Sequence, residues 1–107
     1  MTLNRLEEYG NDFQIKIIQS LVKNRLFLLN IRDVIELEYF THPGHYWIVD
    51  QILKYFDKFN TNITLDYFKI EVKKLENEVL QTAIKEQLKS IYSITSDDQE
   101  YVEKEFD

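Results

Sequence analysis

The histidines His42 and His45 are the side chains of this sequence best suited to chemistry, and they lie three positions apart in "THPGHYW". Two imidazoles at this spacing can share a metal ion or act as a general base. A catalytic zinc site needs a third protein ligand and commonly has two histidines four positions apart on one helix, and the sequence offers neither pattern here. We therefore expect no bound metal at this stretch.

Other signatures of catalysis are missing from the sequence as well. There is no cysteine, which excludes thiol nucleophiles and thiolate zinc sites, and no serine is flanked by the glycines of a nucleophile elbow. Gly10 and Gly44 are isolated, whereas a phosphate-binding P-loop needs two glycines five positions apart followed by lysine and serine or threonine. We expect no catalytic residues, no cofactor and no enzymatic activity.

The same stretch has the features of a helix start. Proline suits the first position of a helix and disfavours helical geometry in the residue before it, so "THPG" predicts a helix that begins at Pro43 with Thr41 or His42 as its cap. His45 shares a stripe with isoleucines at i+3 and i+7, so we expect a buried, hydrogen-bonded histidine. We assign structural roles to four residues of this segment: Pro43, His45, Ile48 and Ile52.

The spacing of the apolar residues predicts an all-α fold. Two glycines and one proline in 107 residues leave few tight turns, and the segments between them have helical periodicity. We predict a single domain, residues 1–107, folded as a compact bundle of about six helices, with caps near Asn11 and Asp12 and at Asn24, Thr64 and Ser96. The predicted apolar faces are Phe13, Ile17 and Leu21; Phe27, Leu28, Ile31, Val34 and Ile35; Trp47, Ile48, Ile52, Tyr55, Phe56 and Phe59; Leu65, Phe68, Val72 and Leu75; and Val79, Leu80, Ala83, Ile84, Leu88 and Ile91.

The charge distribution favours proteins over nucleic acid as partners. The formal net charge is -6, and the last twelve residues, "SDDQEYVEKEFD", contain six acids and one lysine. A phosphate backbone is bound through clustered lysine and arginine, so we expect little direct DNA binding. The lack of cysteine, of a signal peptide and of an apolar run long enough to cross a bilayer leads us to expect a cytoplasmic protein with no membrane contact.

The order of these landmarks resembles the N-terminal domain of DnaB-type replicative DNA helicases, especially those of tailed phages. The similarity runs from about Phe13 to the end of the sequence. It rests on an aromatic turn before a helix patterned His-x-x-Ile, and on a following helix that opens at a Thr-Leu pair. The segments that carry it are "SLVKN", "LLNIRDVIELEYF" with the turn Glu38-Tyr39-Phe40, "HPGHYWIVDQI" with His45 and Ile48, and "ITLDYFKIEV" with Thr64-Leu65. In place of the family's glycine-rich and proline-rich loop, this sequence has "NTNIT".

The resemblance implies a non-catalytic collar domain. In full-length relatives a RecA-like motor follows through a linker helix, so ATP-dependent helicase activity would belong to the full-length protein. The family's N-terminal domains associate within a ring and contact primase and the helicase loader, which implies the same partners here. The predicted helix from Ser96 would then lead into a pairing hairpin. Our interface candidates on that helix are Tyr101, Val102 and Phe106.

The alternative is a stand-alone acidic helical adaptor, or a phage regulator that binds a host protein. Such a protein would present the same kind of helical surface without any motor domain. The two hypotheses differ in the gene: a helicase gene is expected to continue beyond Asp107 into a Walker A motif, and an adaptor gene is expected to stop.

Overall fold

The computed structural model of the protein describes residues 10–92 and is all-α over that range, as predicted. Between residues 10 and 92 there is no strand, and one short 3-10 turn, Leu37–Tyr39, connects two of the helices. The helices are α1 Gly10–Lys23, α2 Arg25–Ile31, α3 Pro43–Phe59, α4 Leu65–Lys73 and α5 Glu78–Tyr92. None of these described helices has the length and apolar character needed to cross a membrane. The predicted helix from Ser96, and with it Tyr101, Val102 and Phe106, lies outside the described residues.

Short polar side chains begin three of the helices. The side chain of Asn24 accepts a hydrogen bond from the Phe27 amide at the start of α2, and Thr64 does the same for the Tyr67 amide at the start of α4. These interactions satisfy amide groups that have no partner within the helix. Both caps were predicted. Asn77, which accepts from the Leu80 amide at the start of α5, was not.

Helix α3 lies at the centre of the domain. It packs against α1 and most extensively against α5. Ile48, Ile52 and Phe56 on its predicted stripe are buried, and so is Val49 beside them, so α3 is enclosed over a broad face. The other helices and loops complete the core with Ile17, Ile18, Leu21, Val22, Leu28, Ile31, Ile35, Phe40, Ile63, Phe68, Val72, Ile84, Leu88 and Ile91.

Helix α2 ends earlier than its apolar pattern predicted. The amides of Val34 and Ile35 both donate to the Ile31 carbonyl at 3.0 Å, and Glu36 is already extended. Ile35 is buried, but Val34 is 57% exposed, so its predicted place on the apolar face is wrong. The residues after Ile31 include Asp33 and two β-branched side chains, which have low helix propensity, and the tight turn directs only one of the two inward.

Two other residues of the predicted apolar faces are exposed. Val79 is 82% exposed because it and Leu80 are adjacent and point about 100° apart on the helix, and Leu80 is the one aligned with Ile84 at i+4. Phe59 is 49% exposed at the last position of α3, directly before Asn60, which ends the helix in the left-handed conformation with φ 57°. Helical spacing alone therefore overextends the apolar face at helix ends.

Polar contacts connect α3 and the loop after it to the first two helices. The guanidinium of Arg32 binds both carboxylate oxygens of Asp57, with Nε 2.6 Å from Oδ1. Arg25 Nε donates to the Asn60 carbonyl at 3.1 Å, and Asn62 Nδ2 donates to the Leu21 carbonyl at 2.8 Å. The ion pair is partly exposed and contributes little free energy, and its two parallel bonds give the contact between the end of α2 and α3 a defined geometry.

We predict that Ile52→Ala lowers the free energy of unfolding by about 2–5 kcal/mol, because it leaves a cavity beside the central helix. Urea unfolding followed by circular dichroism measures this change. Val79→Ala is the matched control and should alter the free energy of unfolding by less than about 0.5 kcal/mol, since Val79 is a surface residue. Similar losses in the two variants would contradict the placement of the core.

Candidate functional site

The two histidines lie at the N-terminus of α3, and His42 caps that helix. His42 has extended backbone geometry, with φ -73° and ψ 126°, and Pro43 occupies the first turn as predicted. The His42 Nδ1 atom accepts a hydrogen bond from the Gly44 amide at 3.0 Å. The ring nitrogen therefore replaces the side-chain oxygen of an ordinary helix cap and must carry a free lone pair. Of the two caps that the sequence allowed, the structure has His42.

His45 is fully buried, and its ring contacts glutamines from two other helices. Its Nδ1 atom lies 3.0 Å from Gln14 Oε1 on α1, and its Nε2 atom lies 2.7 Å from Gln87 Oε1 on α5. The prediction of a buried, hydrogen-bonded histidine is thereby confirmed. The imidazole connects three helices at one point, and a single side chain there fixes their relative positions.

Burial determines the charge state of His45. Desolvation lowers the pKa of the His45 imidazole, the nearby His42 ring lowers it further, and the hydrogen bond with Gln87 acts in the opposite direction with a smaller effect than burial. The net direction is down, so the ring is neutral at pH 7. A neutral imidazole donates from one nitrogen and accepts at the other, so one of the two glutamines must turn its NH2 group toward the ring.

Both contacts of the His45 ring have ordinary hydrogen-bond lengths. Nε2 lies 2.7 Å from Gln87 Oε1 and Nδ1 lies 3.0 Å from Gln14 Oε1, and which nitrogen carries the proton depends on the tautomer of the ring. Gln14 itself is buried, with 3% of its surface exposed. Its amide therefore has little competing water, and the hydrogen bond to the ring is its principal polar contact with α3.

Gly44 allows α5 to approach the start of α3 closely. A Cβ atom at Gly44 would lie 3.1 Å from atoms of the His42 ring and 3.3 Å from the Ala83 carbonyl oxygen. Both distances are shorter than an ordinary van der Waals contact. The glycine thus explains how the His42 cap, the α3 backbone and the α5 backbone fit into one small volume.

This arrangement is suited to holding helices together and poorly suited to catalysis. The ring centroids of His42 and His45 are 4.7 Å apart, but Nδ1 of His42 is used by the helix cap and both nitrogens of His45 are used by glutamines. Residues 10–92 contain no group of three or more His, Cys, Asp or Glu side chains placed to hold a metal ion. His45 also has no exposed surface through which a substrate could reach it.

Gln14 and Gln87 are the site residues that the sequence did not reveal. Gln14 occupies a position four residues before Ile18, so it lies on the buried stripe of α1 together with Ile17 and Leu21. A lone glutamine on an apolar stripe is a signal for a buried hydrogen bond, because an unpaired amide there would be costly. No such signal marks Gln87, which is half-buried beside Leu88.

Exposed apolar residues form a second kind of candidate site, for protein contacts. Leu26 and Leu29 protrude from the outer side of α2, opposite Leu28 and Ile31, which face the core. On α5 a shallow depression of ≈ 500 Å³ is lined by acids and small or apolar residues: Glu78, Val79, Thr82, Ala83 and Glu86. Exposed apolar side chains mark a binding surface when they form a contiguous patch, which makes Leu26 and Leu29 on one side of α2 the first candidate.

Comparisons of the chain with protein-family models, with curated proteins and with solved structures found no match.

We predict that stoichiometric zinc leaves the melting temperature unchanged, because Nδ1 of His42 and both nitrogens of His45 already have protein partners. Differential scanning fluorimetry with and without Zn²⁺ measures this, and a chelator-treated sample serves as the reference. An increase of several degrees at stoichiometric zinc would show that the two rings bind metal after all.

Proposed function

We propose that this chain is the N-terminal collar domain of a DnaB-type replicative DNA helicase. In this role it has no catalytic activity of its own. It takes part in assembly of the helicase ring and offers surfaces to primase and to the helicase loader. The observation that carries the proposal is the order of landmarks in the sequence: an aromatic turn, a long helix that opens with His-Pro-Gly-His, and a next helix that opens with Thr-Leu.

Each of these landmarks has a definite place in the fold, and we take this as support for the proposal. The turn Glu38-Tyr39-Phe40 places Phe40 in the core directly before the His42 cap. Helix α3, which carries the His-x-x-Ile pattern, is the central helix, and Thr64 caps α4. Phe40, His45 and Ile48 of these landmarks are buried, and Thr64 contributes a helix cap.

The surface chemistry supports protein contacts. Leu26 is 66% exposed and Leu29 lies beside it on α2, while the depression on α5 combines Val79 with two glutamates. Interfaces between proteins commonly have an apolar centre with a charged rim. A net charge of -6 opposes binding to a phosphate backbone, which agrees with a domain that contacts the proteins of a replication complex rather than its DNA.

An acidic adaptor that binds a host protein would also present exposed leucines and an acidic surface, so a direct test must separate the two hypotheses. The gene is the first test. Codons that continue past Asp107 into a Walker A motif support the helicase proposal, and a stop codon at that point supports the adaptor. Binding to primase is the second test.

We predict that the chain binds the primase encoded in the same genome, as measured by isothermal titration calorimetry. The variant Leu26→Ser/Leu29→Ser should bind at least about tenfold more weakly, because it removes the exposed apolar centre of α2 without touching the core. Ile70→Ser on α4 is the matched control, since Ile70 is equally apolar and exposed. Absence of binding by the unaltered chain would argue for the adaptor.

We predict that the 107-residue chain is a monomer or a weak dimer at micromolar concentration, and that added salt favours the dimer. If the segment from Ser96 forms the first arm of the pairing hairpin, the six acids of residues 96–107 repel one another in a symmetric pair, and salt screens that repulsion. Sedimentation equilibrium at two salt concentrations measures the association. A chain extended through the hairpin should form a stable ring. A tight oligomer of the short chain, or a monomer of the extended one, would contradict the collar proposal.

A further inference from the structure

We propose that the acidic segment 96–107 docks on its own domain, in a groove between α4 and α5. Four lysines line this surface, which we call the lysine groove: Lys69, Lys73, Lys85 and Lys89. The proposal does not depend on the helicase assignment, because it rests on the charges and the register of these two helices.

Two contacts define the register of α4 and α5. Gln81 Nε2 on α5 donates to the Val72 carbonyl on α4 at 3.0 Å. Farther along α5, the ring of Tyr92 meets the ring of Phe68 edge to face, with centroids 6.3 Å apart. The partner on α4 thus moves toward the start of α4 as the chain moves toward the end of α5. The two helices are therefore antiparallel.

Each of the four lysines directly follows a buried apolar residue. The pairs are Phe68-Lys69, Val72-Lys73, Ile84-Lys85 and Leu88-Lys89. One position is a turn of about 100° around a helix, so each lysine lies at the edge of the buried face. The antiparallel packing turns these two edges toward each other on the side where Gln81 makes its contact. In this register Lys69 lies level with Lys89, and Lys73 lies level with Lys85.

Partial burial distinguishes the lysine groove from the other lysines. Lys69, Lys85 and Lys89 are half-buried, whereas the lysines of residues 10–92 outside the groove are exposed. Like charges repel one another at short range, and the loss of water strengthens that repulsion. Neither Lys73 nor Lys85 has an ion-pair partner among the described residues. The groove is therefore suited to an anionic ligand.

The segment 96–107 has the complementary charge. It contains six acids and one lysine. Its apolar residues Tyr101, Val102 and Phe106 can cover the hydrocarbon stems of lysine side chains while the carboxylates pair with the ammonium groups. Ion pairs to half-buried lysines are less screened than pairs on an open surface, so the groove favours this segment over dissolved anions.

The segment also starts close to the groove. Helix α5 ends at Tyr92, whose ring meets Phe68, the residue before Lys69. Residues 93–95 separate Tyr92 from the segment, and a connection of this length can join neighbouring antiparallel elements. Twelve residues span about 18 Å as a helix and about 40 Å when extended, whereas Lys85 and Lys89 are about 6 Å apart along the helix axis. The segment can therefore reach all four lysines of its own chain.

A spin label on the segment tests the docking. Gln99→Cys carries the label, retains every charge and introduces the only cysteine of the chain. The ¹⁵N amide signals of Lys73 and Lys85 are compared with the nitroxide oxidised and reduced. We expect the oxidised label to abolish these signals at about 0.01 M salt and to spare them at about 1 M, because the Debye length falls from about 30 Å to about 3 Å. Signals that the label does not affect at low salt would overturn the proposal.

Charge reversal in the groove gives the matched comparison. In the labelled chain, Lys73→Glu/Lys85→Glu should restore both amide signals at low salt, because glutamates then face the acids of the segment. Lys16→Glu/Lys23→Glu changes the net charge equally at exposed positions of α1 and should leave the signals abolished. Equal signal loss in the two variants would show that the tether alone, and not the lysines, keeps the label nearby.

A variant of the segment covers the case in which the groove variant does not fold. Asp97→Asn/Asp98→Asn/Glu100→Gln removes three negative charges and leaves residues 10–92 unaltered. We expect the same restored amide signals at low salt. Signals that stay abolished would contradict the docking.

Two further measurements identify the occupant. Spin-labelled chain is mixed with ¹⁵N-labelled chain that has no spin label, and we expect no signal loss at Lys73 and Lys85. A loss in this mixture would overturn the proposal in favour of a second copy. A single-stranded oligodeoxythymidine is added to the unaltered chain at about 0.15 M salt, and we expect no shift of the same two signals. Shifts there would make nucleic acid the ligand of the groove and would likewise overturn the proposal.

Discussion

The core of this domain depends on burying the N-terminus of α3 without leaving its polar groups unpaired. A central helix must place at least one end near the interior, and the first amides of any helix have no partner within it. Here the Gly44 amide is paired by the imidazole of His42, the chain enters through Pro43, which has no amide hydrogen, and the His45 ring binds amides from α1 and α5. Without these interactions, the cost of removing the unpaired amide and imidazole groups from water would oppose the packing of α1, α3 and α5.

The buried start of α3 also requires space, because α5 approaches it closely. At Gly44 a side chain would meet the His42 ring and the Ala83 carbonyl oxygen, so the glycine that permits the cap also permits the contact between helices. Ile48 and Ile52 then continue the buried surface one and two turns farther along α3. Hydrogen bonds at the first turn of α3 and buried apolar side chains farther along it therefore hold the same two helices, α3 and α5, together. The hydrogen bonds allow the helix start to be buried, and the apolar packing keeps the hydrogen-bonding groups in place.

The sequence predicted the parts of this arrangement that are local. A cap at Asn24 or Thr64 involves residues three apart, and the stripe from His45 to Ile52 follows from helical geometry. The partners of His45 could not be predicted, because Gln14 and Gln87 are 31 and 42 positions away and reach the ring only after the helices have packed. Val34, Phe59 and Val79 were placed on apolar faces for a related reason: periodicity specifies a direction around a helix but not where neighbouring elements stop covering it.

The histidines at the start of α3 have hydrogen-bond partners inside the molecule, whereas several apolar side chains of α2 and α5 are exposed to solvent. This difference bears on the function of the protein. At the start of α3, Nδ1 of His42 pairs with a backbone amide and both nitrogens of His45 pair with glutamine side chains. The exposed leucines of α2 and the acid-flanked Val79 of α5, by contrast, face solvent without a partner from residues 10–92. Residues whose chemistry is already used internally hold a fold together, whereas exposed apolar residues gain free energy only when another surface covers them. The paired histidines therefore serve the packing of the helices, and the exposed side chains of α2 and α5 are the apolar surface that this packing leaves uncovered.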